Sequence, residues 1–454
     1  MSDAADDAAA APLTLERWQH LLAAPQTLRC PKMTLMAGDW EPPIVEGSGE
    51  IRFTTPAGFE FTLDGMPDDI GYTLRQLKRQ RDNSYDGLKR FRLVAMTDDG
   101  VEYAAGWTIP DLTTGDTAWN FSGQCEGLIT DDKATPVTPA GGTEAQFIIP
   151  RHHRAALILG RFVSTEKDGR RIPTYDLSID GAKIRFSYDD AAELLTVRTD
   201  GSELLPLTYT ENWLGEPLRI LFGQLVFPRL VARNFPKGGA MVSVRPAPAW
   251  RSDSDWAALW SGKDALSGKE EFWRLYGELL TFIANTRGFE SHKVTSLYEE
   301  VIQAARGSRW VWALTFASSI EGLVKILTPK VAKRPDAKAD DIASLVAHIE
   351  AWPGADGRLR QSAVNAVHRT AEATPRYVLT ELKKLGLVTD GQIKAWEKIR
   401  NAVMHGSLVS PYSSEEDDGH LLALAALMHA LTRLVVSEDP PSIPLASAPA
   451  ETAG

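Results

Sequence analysis

Hydrophobic and polar residues alternate with a period of two through the first half of the chain, and this alternation predicts β-strands. In GEIRFTTPAGFEFTLDG, for example, Ile51 and Phe53 share one face of a segment, and Phe59, Phe61 and Leu63 share one face of the next. The turn sequences PAG and DDG interrupt such segments, as expected for hairpins. Many short strands with this spacing predict a β-sandwich, in which two sheets stack face to face.

Helical periodicity interrupts the strands at residues 13–22 and 71–81, and residues 216–235 are predicted to run from a short helix into a strand. After the proline-rich segment 245–256 the helical period dominates. The predicted helices span residues 269–284, 294–305, 310–327, 341–352, 359–372, 375–385, 392–405 and 420–436. The charged and proline-broken segment 328–340, TPKVAKRPDAKAD, is predicted to be a loop.

These patterns predict a multidomain α+β protein in which an all-β, sandwich-like region precedes an all-α helical bundle. Residues 12–250 are expected to form a β-rich sensory or ligand-binding domain, and residues 256–437 a helical domain. Residues 1–11 and the Pro/Ala/Ser-rich residues 438–454 have the composition of disordered ends.

Net charge, cysteine content and the absence of certain motifs argue against several classes of function. The net charge of −11 excludes a broad basic surface that coats nucleic acid, although a local basic site is compatible with it. Two cysteines, Cys30 and Cys125, predict neither a disulfide framework nor a zinc site, and the adjacent His152 and His153 have no third metal ligand nearby in sequence. The chain has no phosphate-binding glycine loop and no HExxH or GxSxG motif. We therefore expect no metal and no cofactor.

The sequence also bears on where the protein is located in the cell. The N-terminus is acidic and lacks the basic and apolar regions of a secretory signal. No apolar run approaches the about 20 residues that a membrane-spanning helix needs. We expect a soluble cytoplasmic protein without a membrane partner.

The stretch IRNAVMHG, residues 399–406, places an arginine, an asparagine and a histidine within about two helical turns. The Arg-x4-His spacing recurs in RGFESH, residues 287–292, so spacing alone does not identify a site. The settings differ, because RGFESH falls between two predicted helices, whereas Arg400 and Asn401 lie inside one. That helix is predicted to begin at a cap at residues 389–390 (Thr-Asp) and to end at the glycine of the motif.

Within the predicted helix, Arg400 falls at the edge of the apolar stripe that contains Trp396 and Ile399, so its guanidinium must be paired or face a cleft. Asn401 and His405 share a face, where the amide can orient the imidazole. The helix dipole favours the protonated form of a histidine at this end, which fits an acid and base near neutral pH. Arg400 and His405 point about 140° apart, so two copies across a dimer axis are expected to build one cleft.

RNAVMHG resembles the R-[N/D/H]-x3-H signature of the HEPN superfamily in its ribonuclease form, and the helical surroundings and the late position of the motif also match. The resemblance covers about residues 256–436 and implies a metal-independent endoribonuclease that acts as a homodimer through this domain. Arg400, Asn401 and His405 are then the catalytic residues. His405 would exchange a proton with the RNA 2′-hydroxyl or the leaving 5′ oxygen, and Arg400 would stabilise the developing charge. Family members often carry an acid on an earlier helix, where Glu321 would be the supporting residue.

At the level of the whole chain, a β-rich half joined to a HEPN domain at this length is similar to the ApeA-type anti-phage proteins of bacteria. That similarity implies a toxin of abortive infection. Its N-terminal half would sense infection, for instance through a phage-derived trigger, and its nuclease would cut RNA, with tRNA as one candidate substrate.

Several side chains keep two interpretations each. Glu321 either pairs with Arg400 or lies on an exposed polar strip of its helix. The basic residues of the predicted loop either guide RNA or are simply solvated; they are Lys330, Lys333 and Arg334. The tryptophans of the β half either form a ligand platform or fill the core; they include Trp107, Trp119 and Trp213.

Alternatives to the ribonuclease also stay open. In the first alternative, the helical domain is a non-catalytic HEPN module that binds RNA or nucleotides or that oligomerises, and the β domain binds a ligand. In the second alternative, the motif is an ordinary helix end with a solvated histidine. A third alternative is a carbohydrate-recognising sandwich with a helical oligomerisation tail.

Overall fold

The computed structural model describes residues 14–38, 41–55, 58–82, 90–167, 170–250, 255–261, 265–286, 288, 290–333, 336–354, 356–370, 374–404, 412, 414–437 and 443–444. The chain divides into two compact units. The first, the β unit, comprises Met1–Arg219, Gln224–Asp253 and Gly262–Ser291. The second, the helical unit, comprises Ile220–Gly223, Ser254–Ser261 and His292–Gly454.

The β unit is built on antiparallel strands. They are β1 (Gln26–Met36), β2 (Pro43–Thr55), β3 (Gly58–Gly65), β4 (Phe91–Met96), β5 (Glu102–Thr108), β6 (Asp111–Thr113), β7 (Trp119–Gln124), β8 (Leu128–Asp132), β9 (Gly142–Ile148), β10 (Thr165–Lys167), β11 (Arg170–Ile172), β12 (Thr174–Ile179), β13 (Ala182–Asp189), β14 (Leu194–Asp200), β15 (Leu230–Asn234) and β16 (Ala240–Val244). In the described part of the chain, fourteen of them form one sheet in the order β12-β13-β14-β9-β15-β16-β8-β5-β4-β1-β2-β3-β7-β6. β10 and β11 form a separate hairpin.

The β-rich N-terminal region is therefore confirmed, but the prediction of two stacked sheets is wrong. The alternation correctly indicated the inward side chains, because Ile51, Phe53, Phe59, Phe61 and Leu63 are all buried. Strands as distant in the order as β3 and β16 contribute to one core, so the single sheet curls around it. Alternation identifies the buried face of a strand but not its neighbours, and here β9 pairs with β14 on one side and β15 on the other.

Helices accompany the sheet. They are a 3-10 helix (Thr14–Leu22), α1 (Ile70–Asp82), α2 (Arg154–Phe162), α3 (Thr210–Phe222) and α4 (Lys269–Ala284). The first two confirm the helices predicted at residues 13–22 and 71–81, and α3 followed by β15 confirms the predicted helix-to-strand segment. α4 was expected in the helical domain, yet it packs on the β unit. The Tyr276 hydroxyl donates to the Leu214 carbonyl at 2.9 Å, and the Trp273 ring lies 4.5 Å from the Phe186 ring. The β unit thus extends past the predicted boundary at residue 250.

The helical unit confirms an all-helical C-terminal region. Its helices are α5 (Lys293–Ala304), α6 (Arg309–Val331), α7 (Asp336–Glu350), α8 (Gly357–Thr370), α9 (Pro375–Lys384), α10 (Asp390–Met404) and α11 (Glu415–Val436), with a 3-10 turn at Asp255–Ala257 and two short strands, β17 (Ala332–Lys333) and β18 (Ile443–Pro444). α6 lies at the centre of the bundle, where it contacts α5, α9, α10 and α11.

The predicted loop at residues 328–340 is wrong over most of its length. α6 continues to Val331 with Pro329 inside it, and α7 begins at Asp336. Val331 is fully buried and the Lys330 ammonium donates to the Val435 carbonyl at 2.6 Å. These tertiary contacts stabilise a last turn that a proline disfavours locally.

Two described helices, α6 and α11, are long and apolar enough to cross a membrane by length and composition, with mean hydropathies of 1.3 and 1.6 in their most apolar windows. The expectation that no segment approaches this limit is therefore wrong. Half of each window is buried, and the two helices pack against each other. Such burial is typical of the core helices of a soluble protein.

Candidate functional site on helix α10

Helix α10 begins at a capping box. The Gln392 amide N–H donates to the Thr389 hydroxyl at 3.2 Å, and the Thr389 amide N–H donates to the Gln392 side-chain oxygen at 2.7 Å. Each side chain thus satisfies a backbone donor that the first turn leaves free. The cap predicted at Thr389 is confirmed, and it fixes which residues of α10 face the bundle.

The apolar stripe of α10 packs onto α6. Ile393, Trp396 and Ile399 are buried, and the Trp396 indole N–H donates to the Ala317 carbonyl at 3.3 Å. Because Arg400 follows Ile399 directly, this packing brings the guanidinium to the edge of the α6–α10 contact. The position that periodicity predicted for Arg400 is the one the structure shows.

Arg400 forms an ion pair with Glu321 of α6. Arg400 Nε lies 2.5 Å from Glu321 Oε1, and the guanidinium carbon is 5.7 Å from the centroid of the Trp396 ring. The Arg400 side chain is 46% exposed and that of Glu321 is 26% exposed. Of the two interpretations of Glu321, the pair with Arg400 is confirmed. Since the pair engages Nε and much of the guanidinium reaches solvent, N–H donors remain for an anionic ligand.

Asn401 is exposed on the next position of α10. His405 and the closing Gly406 lie outside the described residues, so their contacts are not part of the site geometry. The chain leaves α10 at Met404, one turn beyond Arg400, and re-enters a helix at α11. Lys398 of α10 pairs with Glu416 in the first turn of α11. This pair attaches the first turn of α11 to the helix that carries Arg400.

A second pair ties α11 to the central helix. Arg309, the first residue of α6, contacts Asp418 in the first turn of α11. The sequence analysis named none of Lys398, Glu416, Arg309 and Asp418, and their sequence separation leaves no local signal that could have found them. Together the two pairs attach the first turn of α11 to α10 and to the start of α6.

The basic residues predicted to guide RNA do not form a described patch. Lys330 is oriented toward the backbone of α11, and burial lowers the pKa of its ammonium. The side chain of Lys333 and the whole of Arg334 lie outside the described residues. An RNA-guiding role for these three residues stays a prediction.

The competing motif RGFESH has a structural histidine. His292 Nδ1 accepts a hydrogen bond from the Val294 amide at 3.1 Å and so caps α5. Burial, together with the nearby charges of Lys293 and Lys330, lowers the pKa of His292 to about 4. The ring is neutral at pH 7 and is engaged with the backbone. Arg287 lies outside the described residues.

The remaining candidate residues are the two adjacent histidines and the tryptophans of the β unit. His153 Nδ1 accepts from the Ala155 amide at 3.1 Å and caps α2, while His152 is exposed. Trp119 and Trp213 are buried, which confirms them as core residues, whereas the side chain of Trp107 is outside the described set. Among the described residues, no group of three His, Cys, Asp or Glu side chains is arranged to hold a metal ion.

No protein-family model, curated protein or solved structure matches this chain. The assignment of a function therefore rests on the motif, on its helical setting and on the geometry around Arg400.

Proposed function

We propose that the helical unit is a HEPN-type, metal-independent endoribonuclease whose active site contains Arg400, Asn401 and His405. The observation that carries the proposal is the Arg400–Glu321 ion pair at the solvent edge of the α6–α10 contact. A held but accessible guanidinium is what recognition of a phosphodiester requires.

The chemistry follows from these groups. Arg400 binds the scissile phosphate and stabilises the charge that develops on its oxygens. His405 removes the proton of the RNA 2′-hydroxyl, or protonates the leaving 5′ oxygen in the copy across the dimer axis. The 2′ oxygen attacks phosphorus, the bond to the 5′ oxygen breaks, and the products carry a 2′,3′-cyclic phosphate and a 5′-hydroxyl. Because the nucleophile belongs to the substrate, no metal-activated water is needed.

Glu321 is a positioning residue in this scheme. Its carboxylate orients the guanidinium and, being a fixed negative charge, also disfavours binding of anions that do not match the site. In the proposed site Asn401, four residues before His405 in the sequence, orients the imidazole. The net charge of −11 makes recognition local, so the cleft built by two copies of the motif selects the substrate.

The proposal for the whole chain is a cytoplasmic effector of anti-phage defence. The β unit senses infection, a phage-derived molecule being one trigger, and the helical unit then cleaves RNA, tRNA included, as a homodimer. The support for this part is the order of the two units along the chain and the resemblance of the motif.

The test is cleavage of a labelled RNA by purified wild-type, His405→Ala and Arg400→Ala proteins. Each substitution is expected to lower the rate by about 100-fold or more, with EDTA without effect and with an oligonucleotide bearing a single 2′-deoxy position resistant at that position. The matched control is Arg376→Ala on α9, because Arg376 is an exposed arginine paired with Glu397 at 2.8 Å. Chelator-sensitive cleavage, or full activity of His405→Ala, would contradict the proposal. A dimer that binds RNA but releases no cyclic phosphate ends would support the non-catalytic alternative.

A further inference from the structure

The β unit contains a pocket with an unusual charge arrangement. A cavity of about 470 Å³ opens on the outer face of β8, β15 and β16, and its lining includes Arg233, Arg245, Asn212, Ser243, Met241 and Phe227. We call it the arginine pocket. Ala240, Val242 and Val244 of β16 point into the core, so the alternating Met241 and Ser243 face the opposite side, toward the pocket.

One buried carboxylate holds both arginines of the pocket. Glu211 is fully buried, and its Oε1 accepts from Arg233 Nη2 at 2.5 Å and from Arg245 Nη2 at 2.7 Å, while Oε2 accepts from Arg233 Nε at 3.2 Å. Burial alone would raise the pKa of Glu211, but the hydrogen bonds and charges of the two guanidiniums outweigh it and lower the pKa. Glu211 is therefore ionised at neutral pH.

The second arginine is also fixed by neutral groups. Arg245 Nη1 donates to Asn212 Oδ1 at 3.2 Å, and Arg245 Nε donates to Ser243 Oγ at 3.3 Å. Two guanidiniums thus share one carboxylate, and one positive charge is left without a matching anion in this cluster. Each arginine side chain remains about a quarter exposed, toward the cavity.

A third guanidinium lies behind the pocket. Arg229 is fully buried, and its Nη1 donates to the Arg245 carbonyl. Among the described residues its Nε and Nη2 have no hydrogen-bond partner. Desolvation lowers the pKa of Arg229 to about 10, so it is still protonated at pH 7. Its guanidinium carbon lies 4.6 Å from the centroid of the Phe59 ring, so Arg229 faces the core and does not line the cavity. Glu126, which also lines the cavity, is paired with Arg90.

Much of the remaining lining of the pocket is apolar. Ile129, Phe227, Pro228 and Met241 line it, and Ile129 is 40% exposed although the opposite face of β8 is core. A fixed pair of arginines beside an apolar wall, in a cavity of this volume, is the arrangement that binds small organic anions.

We propose that the arginine pocket binds a small organic anion, with one phosphate or carboxylate group on Arg233 and Arg245 and an apolar or aromatic body against Ile129, Met241 and Phe227. The anion supplies the charge that the Glu211 cluster lacks. The site lies wholly in the β unit and its existence does not depend on the proposed nuclease activity.

Calorimetric titration of the full chain tests the proposal with four probes: phenyl phosphate, benzoate, inorganic phosphate and benzyl alcohol. Phenyl phosphate or benzoate is expected to bind saturably with a Kd of about 0.1–10 mM, which also shows whether phosphate or carboxylate is preferred. Inorganic phosphate should bind at least about fivefold more weakly because it lacks the apolar body, and benzyl alcohol should not bind.

Substitutions localise the binding. Arg245→Gln should raise the Kd at least about tenfold, whereas Arg185→Gln, at an exposed arginine paired one to one with Asp176 at 2.7 Å, should not change it. Ile129→Glu, at an exposed position, should weaken binding similarly without touching the Glu211 cluster, and Ile109→Glu is its matched control. The proposal is overturned if neither aromatic anion binds saturably, or if binding is the same in wild type, Arg245→Gln and Ile129→Glu.

Discussion

Each unit of the protein contains a carboxylate that holds arginine, and the two sites differ in burial and in charge balance. In the β unit, Glu211 is fully buried and binds two guanidiniums that are each about a quarter exposed. In the helical unit, Glu321 is 26% exposed and binds one guanidinium that is 46% exposed. The first site has more positive than negative charge, whereas the second is balanced.

Because of this difference, the Glu211 site is rigid, whereas the Arg400 site is accessible. A buried carboxylate has lost its hydration, so the free energy of keeping it ionised in the fold depends on both arginines. The exposed pair on α10 is screened by water and contributes little to stability. Arg400 is therefore held only weakly by Glu321, and the rest of its guanidinium stays open to solvent. The Glu211 cluster keeps its contacts and offers only its residual charge to a small ligand.

The largest expected effect comes from removing the two carboxylate charges with the same isosteric substitution. Glu211→Gln should lower the local free energy of unfolding of the β unit by about 3–5 kcal/mol, because two arginines are left without their anion. Glu321→Gln should lower that of the helical unit by less than about 1 kcal/mol. Hydrogen exchange of β15 and β16 against α6 and α10 measures each unit separately. Equal losses in both units would show that burial does not distinguish the two sites.

The next effect concerns pH and sharpens the comparison, since the arginine guanidiniums do not titrate between pH 4 and pH 7, whereas two partly buried histidines make the stability of the helical unit depend on pH in that range. Burial lowers the pKa of His292 and of His429 to about 4, from 6.5. Above pH 6.5 both rings are neutral in the folded and unfolded chains. As the pH falls from 6.5 toward 4 the unfolded chain binds protons first, so stability is lost. At pH 5 each histidine should cost about 1–2 kcal/mol relative to pH 7.

Urea unfolding of the helical unit at pH 7 and pH 5, followed by hydrogen exchange of α5 and α11, measures this loss. His292→Asn keeps an acceptor at the cap of α5 but does not titrate. Its pH dependence should be about half that of the wild type. A helical unit equally stable at both pH values would show that these rings are protonated without cost in the fold.

The smallest effect expected is on catalysis by the exposed pair. If Glu321 positions Arg400, Glu321→Gln should lower kcat of RNA cleavage by about tenfold, or 1.4 kcal/mol, while the hydrogen exchange of α6 and α10 stays close to wild type. Glu397→Gln, which removes the partner of Arg376 on the neighbouring helix, is the matched control and should not change kcat. A Glu321→Gln enzyme with unchanged kcat and raised KM would instead place Glu321 in substrate binding only.

Local patterns predicted most elements and one half of the candidate site. The helix from Thr389 and the position of Arg400 at its apolar edge follow from a capping box and a 3.6-residue period, both of which are properties of neighbouring residues. The partner of Arg400 was an open choice between two environments for Glu321, because 79 residues separate the two. No local pattern indicated the Glu211 cluster, since its arginines are 22 and 34 residues away, one on β15 and the other directly after β16.

By itself, then, the sequence determined which faces of its strands and helices are apolar, where α10 begins, and that Arg400 lies beside a buried stripe. The tertiary structure decided that the strands join into one curled sheet, that α4 belongs to the β unit and that α6 continues through Pro329. It also decided which carboxylates meet which arginines. The physical reason is that periodicity and capping depend on residues a few positions apart. Strand order and ion pairing depend on contacts between distant segments, whose energies no local pattern records.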